Sequence, residues 1–205
     1  MNAKQELSNI DEAALRVKCI EYLRYNTPEI FQKEDYILIN ELVFEDGKRR
    51  ADLVLLGHTF DVYELKSDLD NLDKLAGQIE DYKKTFDRIT VVTTQKHISS
   101  VRNICPEQVG ILLVTADETK LVRKAKPYKR FDRFSLASIL KSPTLNSLCM
   151  DLDAPLRSKM SVTDKRFYIS HRMDTQSLKD LVKKELFHQF QASHLRFIEY
   201  IGEHI

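Results

Sequence analysis

Two carboxylates and a lysine in this chain are spaced so that they could hold a divalent cation beside a positive charge. The runs Ala51-Asp52-Leu53-Val54-Leu55-Leu56 and Phe60-Asp61-Val62-Tyr63-Glu64-Leu65-Lys66 flank Gly57-His58-Thr59 and read as two strands of a hairpin. Alternation puts Asp52, Val54 and Leu56 on one face, and Phe60, Val62, Glu64 and Lys66 on one face of the returning strand. A three-residue turn then sets Leu56 against Phe60, Val54 against Val62, and Asp52 against Glu64. Directly opposed residues carry Cβ atoms ~5 Å apart, so both carboxylates would converge on an otherwise apolar face. Like charges opposed on a half-buried surface need compensation. Mg²⁺ suits the task, because it takes one or two protein carboxylates and fills its shell with water and phosphate. An ion held there, Mg²⁺ or Mn²⁺, would keep water and phosphate in its open positions, with the Lys66 charge beside them.

Other elements must position that hairpin. A first helix is expected from Ser8 or Asn9, each followed three residues later by an acid (Asp11, Glu12), with Ile10, Ala13, Ala14, Val17 and Ile20 as its buried stripe. In that phase Glu21 falls inside the stripe and Glu12 points away. Glu21 is either functional or a stripe-edge acid satisfied by an arginine. A strand follows over 36–44, with Asp46-Gly47 as the turn into Arg49. Glu41 shares a face there with Ile37, Ile39 and Val43, and could equally pair with Arg49 or Arg50 across the hairpin.

After Lys66, Ser67 is expected to cap a helix in which Leu69, Leu72, Leu75, Ala76, Ile79, Tyr82 and Phe86 recur at three and four. Gln78 and Tyr82 stand one turn apart at the edge and centre of that stripe, so both can face the strand ends. Alternatively Tyr82 is simply core and Gln78 solvated. A buried strand at 89–93, a short helix from His97 to Ile104 and an apolar strand at 109–114 complete the pattern. His97 could reach phosphate or be a surface residue. Segments 135–149 and 176–203 read as helical; in the latter, Leu178, Leu181, Val182, Leu186, Phe190 and Leu195 form an apolar face for the core or for a second subunit.

Arg49-Arg50-Ala51-Asp52, Tyr63-Glu64-Leu65-Lys66-Ser67-Asp68-Leu69-Asp70, Gln78 to Tyr82 and Phe86-Asp87-Arg88-Ile89-Thr90-Val91-Val92 together resemble the PD-(D/E)XK, or restriction-endonuclease-like, superfamily of nucleases. The likeness is to a small bacterial and phage branch of it, largely of unassigned role. It covers roughly residues 10–115, with a weaker suggestion near 136–149, and Ala51 stands where that motif has proline. The resemblance implies an α/β fold with a mixed sheet flanked by helices. It also implies catalytic roles for Asp52, Glu64 and Lys66, and a role for Gln78 and Tyr82 in touching substrate or orienting site groups. For the metal it implies Asp52, Glu64, the Leu65 carbonyl, and one further acid. Glu21 and Glu41 both remain candidates for that place.

The 205 residues have a 42% hydrophobic fraction and a net charge of +1, ordinary for one globular unit with an appended piece. We expect a nuclease-like core over 1–125 and a basic, mainly helical carboxy-terminal extension over 126–205, packed on the core. Residues 1–122 hold 16 Lys+Arg against 22 Asp+Glu and residues 123–205 hold 16 against 9, an acidic half followed by a basic one. Arg123, Lys124, Lys126, Lys129, Arg130 and Arg133 cluster against Asp132 alone, with Tyr128, Phe131 and Phe134 interleaved. That composition suits nucleic acid, DNA being favoured, with Arg49 and Arg50 as further contacts; the aromatics could equally pin a linker to the core. Met1 to Glu6 lack an apolar leader and no run approaches ~20 apolar residues. The expected setting is cytoplasmic, without membrane contact, with a homodimer through the last helix as an option. Cys19, Cys105 and Cys149 lack disulfide or zinc spacing. No Gly-x-Ser-x-Gly occurs, and five glycines supply no phosphate-cradling loop. Rivals to a nuclease are a non-cleaving nucleic-acid-binding protein and a partner-docking protein of a phage or defence system.

Overall fold

The structure, a computed structural model, describes residues 9–31, 36–155 and 157–203. The expectations placed on Met1 to Glu6 and on Ser8 lie outside them. Six strands, β1 (Ile37–Phe44), β2 (Arg49–Leu56), β3 (Phe60–Lys66), β4 (Arg88–Thr94), β5 (Gly110–Val114) and β6 (Thr119–Arg123), form one sheet in sequence order. Tight turns make β1, β2 and β3 antiparallel, while crossovers through α3 (Leu75–Tyr82) and α4 (Ile98–Ile104) make β3, β4 and β5 parallel; β6 returns antiparallel. Parallel neighbours require such crossovers, which place helices on the sheet's faces. The result is the α/β class with a mixed sheet flanked by helices and a helical carboxy-terminal extension, compatible with a restriction-endonuclease-like fold.

Each face has its own core. One gathers Ile37, Ile39, Val54, Val62, Ile79, Tyr82 and Phe86 with residues of the extension, α5 (Arg133–Ile139), α6 (Ser142–Asp151), α7 (Val162–Arg172) and α8 (Thr175–Glu203). Leu136, Leu145, Ile169, Leu178, Val182 and Leu186 belong to this same cluster, so sheet and extension share one apolar interior. The other face packs Leu38, Leu53, Leu55, Tyr63 and Leu65 against Leu15, Cys19, Ile20 and Leu23 of α1 (Glu12–Asn26), with Phe31 of the short α2 (Pro28–Phe31) alongside. All three cysteines are buried, free thiols. No helix among the described residues is long and apolar enough to cross a membrane.

Three expectations need correction. The first helix is capped by Asp11, whose Oδ1 accepts from the Ala14 N–H at 2.8 Å. Its stripe is Leu15, Cys19, Ile20 and Leu23, while Ala13 and Ala14 are exposed. The helix after Lys66 starts only at Leu75. Ser67 instead makes a tight turn, its N–H and Oγ both donating to Asp70 Oδ2 at 2.7 and 2.6 Å, which leaves Leu69 72% exposed. Serine and aspartate compete for local backbone donors in this way, and a turn wins where the chain must leave a strand end. The strand β6 was not foreseen, because Thr119-Lys120-Leu121-Val122-Arg123 is short and half polar. The chain beyond it presses on Gly110, where an added Cβ would lie 2.9 Å from both Ala125 N and Thr90 Oγ1.

The last helix folds onto the first strand. β1 is an edge strand, and edges must be covered or blunted. His194 of α8, 7% exposed, accepts the Leu38 N–H on Nδ1 at 3.1 Å, and its ring stands edge-on to Tyr36. The apolar face of α8 is thus spent on the core, and of the residues expected to form it only Leu195 is exposed. Burial lowers the His194 pKa below its usual 6.5. The unfolded chain therefore binds a proton near pH 6 that the folded chain resists, so stability falls as pH drops through 6.5. We predict that His194→Ala costs about 1–3 kcal/mol in urea denaturation near neutral pH by orphaning the Leu38 N–H. The penalty should shrink towards pH 5; one that is constant with pH would remove His194 from this role.

Candidate functional site

The hairpin register is as the alternation predicts, with Leu56 opposite Phe60 and Val54 opposite Val62. The ladder stops at Leu53 and Tyr63, one residue short of Asp52 and Glu64. Freed there, the Asp52 carboxylate turns across the strand end, and Oδ2 accepts the Leu65 N–H at 2.8 Å. Alternation breaks at this level in both neighbouring strands. Ala51 joins Val54 and Leu56 in one core while Leu53 joins the other, and Leu42 and Phe44 rejoin Ile37 and Ile39. The break in β1 is Glu41 itself, held at φ 58°, the left-handed region that costs a non-glycine residue energy.

Glu64 is the centre of the site and is 1% exposed. Its Oε1 accepts from Lys66 Nζ at 2.6 Å and from Gln78 Nε2 at 2.5 Å, and its Oε2 accepts from the Tyr82 hydroxyl. The helix α3 makes this possible, since Gln78 and Tyr82 lie one turn apart with Ile79 and Leu75 buried against the sheet. Two of the three donors are neutral and the third is a cation, so the buried charge is solvated by the protein. The same contacts raise the Tyr82 pKa well above its usual value, burial first and the Glu64 charge second. Gln78 Oε1 is buried and has no partner among the described residues.

Asp52 is raised too, to about 7, by burial first, then by Glu64, with the Leu65 N–H and Lys66 opposing. Glu12 adds to the rise. It lies one turn before Leu15, Cys19 and Leu23, which face the sheet, and is itself exposed and paired with Arg16 at 2.5 Å. Sequence reasoning missed it by phasing the helix on Ala13, Ala14 and Val17. Glu21, the acid chosen instead, pairs with Lys18 at 3.4 Å and is not brought to the site. Glu41 does not share the core face with Ile37 and Ile39; it is exposed and pairs with Arg50 at 3.6 Å.

The predicted cationic contacts separate into groups. Arg49 is held by Asp81, Nε to Oδ2 at 2.5 Å, while Arg50 stays exposed beside Asp52 in sequence. Lys124, Lys126, Lys129, Arg130 and Arg133 are exposed, but they lie along the segment that leaves β6, three strands across the sheet from β3. Tyr128 N–H donates to the Asp87 carbonyl and Asp132 N–H to the Lys84 carbonyl, before β4 begins. Tyr128 and Phe131 pack on the core, and Lys179 lies over the Phe131 ring. The aromatics therefore pin this linker. His97 precedes α4 with Nε2 buried and without a partner among the described residues.

Among the described residues no three His, Cys, Asp or Glu side chains cluster as a metal site. Asp52 is nevertheless raised by burial and then by the Glu64 charge beside it. That is the environment a cation would relieve, with water or phosphate completing its shell. Asp52 and Glu64 are the residues that would hold such an ion.

The chain belongs to the bacteriophage P4 protein cII family, whose model matches residues 5–205. It is 30% identical over 118 residues to "Protein cII" of Enterobacteria phage P4, a match that takes in 56% of this chain and 45% of that protein. The match thus spans less than half the length of that relative. A solved structure, the SPO1766 protein of unknown function from Silicibacter pomeroyi, aligns at 20% identity over 72% of this chain and 92% of that one. The TM-score of that alignment is 0.42.

The state of Asp52 can be tested without any activity. Its raised pKa means the folded chain keeps a proton that the unfolded chain releases above 3.8, so stability is lost as pH rises towards about 7. Asp52→Asn keeps an acceptor for the Leu65 N–H and removes this loss. In urea denaturation the variant should gain about 2–4 kcal/mol on the wild type between acid and mildly alkaline pH, and Mg²⁺ or Mn²⁺ should narrow the gap by stabilising the wild type alone. A difference that ignores both pH and metal would show that Asp52 is an ordinary surface acid.

Proposed function

We propose that this member of the bacteriophage P4 protein cII family is a metal-dependent nuclease with a site of the PD-(D/E)XK type, cutting phosphodiester bonds of nucleic acid, with DNA the favoured polymer and the cytoplasm its setting. The observation that supports it is the buried Glu64 carboxylate gripped by Lys66, Gln78 and Tyr82 beside a destabilised Asp52. Asp52 and Glu64, with the Leu65 carbonyl, would hold Mg²⁺ or Mn²⁺; when bound, the ion polarises the phosphate and makes a coordinated water acidic. Glu12, one turn before the α1 stripe, is the further acid this reading now prefers to Glu21 and Glu41.

The chain's own side chains have separable tasks. Gln78 and Tyr82 fix Glu64 in one rotamer and keep bulk water from its buried oxygens, so its charge is aimed before any ligand arrives. Lys66 balances that charge. Its ammonium, 2.6 Å from Glu64 Oε1, is already desolvated and can interact strongly with a phosphate oxygen or an attacking water. Arg50 lies exposed two residues from Asp52 and offers the first backbone contact outside the site.

A second reading, a non-cleaving nucleic-acid-binding or partner-docking protein of a phage or defence system, has one observation in its favour: Glu64 is fully bonded by side chains of its own chain. The two separate in one experiment, incubating the protein with linear, single-stranded and branched DNA and with RNA, in Mg²⁺, Mn²⁺ or EDTA. The nuclease reading expects metal-dependent cutting that drops on the order of 10²–10³-fold in Glu64→Gln and in Lys66→Ala. Binding of the polymer in EDTA should be nearly unchanged in both variants. Binding without cutting in any metal would leave the second reading standing.

A further inference from the structure

The strained residue Glu41 opens onto a cleft that the site residues do not use. A cavity of about 710 Å³ runs along the outer edge of β1 from Glu41 to Phe44 and is closed on its far side by α5, the start of α6, and α8. Its floor is apolar, from Leu42, Leu140, Leu186 and Phe190, and its rim carries Lys141, Ser142 and Gln189, all exposed. A smaller cavity of about 270 Å³ continues along the same edge between Leu38–Asn40 and Phe190, Ser193 and Phe197. The pairing of Asn40 with Leu53 and of Leu42 with Ala51 sets Glu41 across from Asp52. The mouth of the cleft is thus one strand spacing, ~5 Å, from the candidate site. Arg50, exposed and paired with Glu41, stands at that mouth, while Glu185 accepts the Lys141 N–H at 3.1 Å on the rim.

We propose that this cleft is the track for a single polynucleotide strand leading to Asp52 and Glu64, an inference that rests on the hydrolytic reading of that site. Several features point the same way. The cavity volume falls in the ~300–1,000 Å³ range of ligand clefts, enough for an unpaired stretch of a few nucleotides and far too small for a duplex. An apolar floor with a half-buried phenylalanine, bordered by a lysine and amide and hydroxyl groups, is the chemistry that accepts bases on one side and phosphates on the other. The left-handed Glu41 (φ 58°) supplies an independent sign, since backbone strain in a non-glycine residue is retained where a site requires it. It turns its side chain out of the sheet face and into the mouth, where Arg50 is held.

Fluorescence anisotropy in EDTA with labelled single-stranded DNA and RNA and with a closed hairpin duplex tests the track separately from the chemistry. Gln189→Trp fills the cleft and Lys141→Glu reverses its rim charge; both positions are exposed, so folding should survive, as thermal melting would verify. We expect a single strand to bind at least tenfold more tightly than the duplex. Each variant should lose about tenfold or more of single-strand affinity, and the salt slope of log K should fall by about one in Lys141→Glu. Duplex binding equal to single-strand binding, or variants that bind like wild type, would overturn the track. If the variants weaken binding while no polymer is ever cut in Mg²⁺ or Mn²⁺, the track stands and the hydrolytic reading fails. Cutting of duplex untouched by either variant does the reverse.

Discussion

The structure turns on one buried negative charge. Removing a carboxylate from water costs several kcal/mol even after relaxation, and only close, well-directed partners offset it. Glu64 has three of them, from two elements: Lys66 two residues along its own strand, and Gln78 and Tyr82 on α3. The sheet and α3 therefore cannot slide relative to one another without unpairing a buried ion. Tyr82 carries this constraint onward, because its ring packs on Phe44 and Phe86, and Phe86 on Phe60. The hairpin, the edge strand and the crossover are locked around the charge. A second carboxylate beside it then has little solvation left, and Asp52 rises to about 7 while Glu64 keeps the donors. Two acids with environments this unequal are a common preparation for chemistry.

What the sequence made legible follows from which residues had a single physical option. The hairpin was readable because Leu56, Val54, Phe60 and Val62 must share a face and a three-residue turn leaves one register. Gln78 and Tyr82 were readable because spacing of four on an amphipathic helix points both side chains the same way. In α1 the outcome was otherwise. Ala13, Ala14 and Val17 are small enough to sit on either side, so they gave a false phase, and the true stripe includes Cys19, whose burial is as natural as that of any small apolar residue. The shift rotates the helix by more than about a third of a turn and exchanges Glu21 for Glu12.

Glu41 was beyond any pattern argument. Alternation assumes extended backbone, and a residue at φ 58° reverses the faces of everything after it; Leu42 and Phe44 enter the core where Val43 was expected. Nothing in Ile-Leu-Ile-Asn-Glu-Leu-Val-Phe marks the reversal, since its cause is tertiary. Asp52 and Glu41 lie across from each other, and both strands change parity there together. Ser67 misled for a related reason. A serine after a strand with an acid three residues on fits a helix cap and a closed turn equally well. The decision is made by Asp68, which bonds Ile10 N–H and Thr94 Oγ1 and so pins the chain at the strand end before a helix can start.

That anchor also explains why the cationic surfaces are divided. Asp68 fixes the carboxyl ends of β3 and β4, near the candidate site, whereas Asp87, before β4, bonds Phe60 N–H, pairs with Lys179 and holds Tyr128. Asp87 and the Lys66 level, which pairs with Thr93, are six residues apart along a strand, about 20 Å. Glu64 itself pairs with Val91, four residues and about 13 Å from Asp87, so Lys129 and Arg130, next to the anchored Tyr128, lie beyond one Debye length, about 8 Å, at physiological ionic strength. At the site end the predicted cations are Lys66, paired with Glu64 within β3, and Arg50, paired with Glu41 across the edge of the sheet, so each positive charge there is already set against a carboxylate.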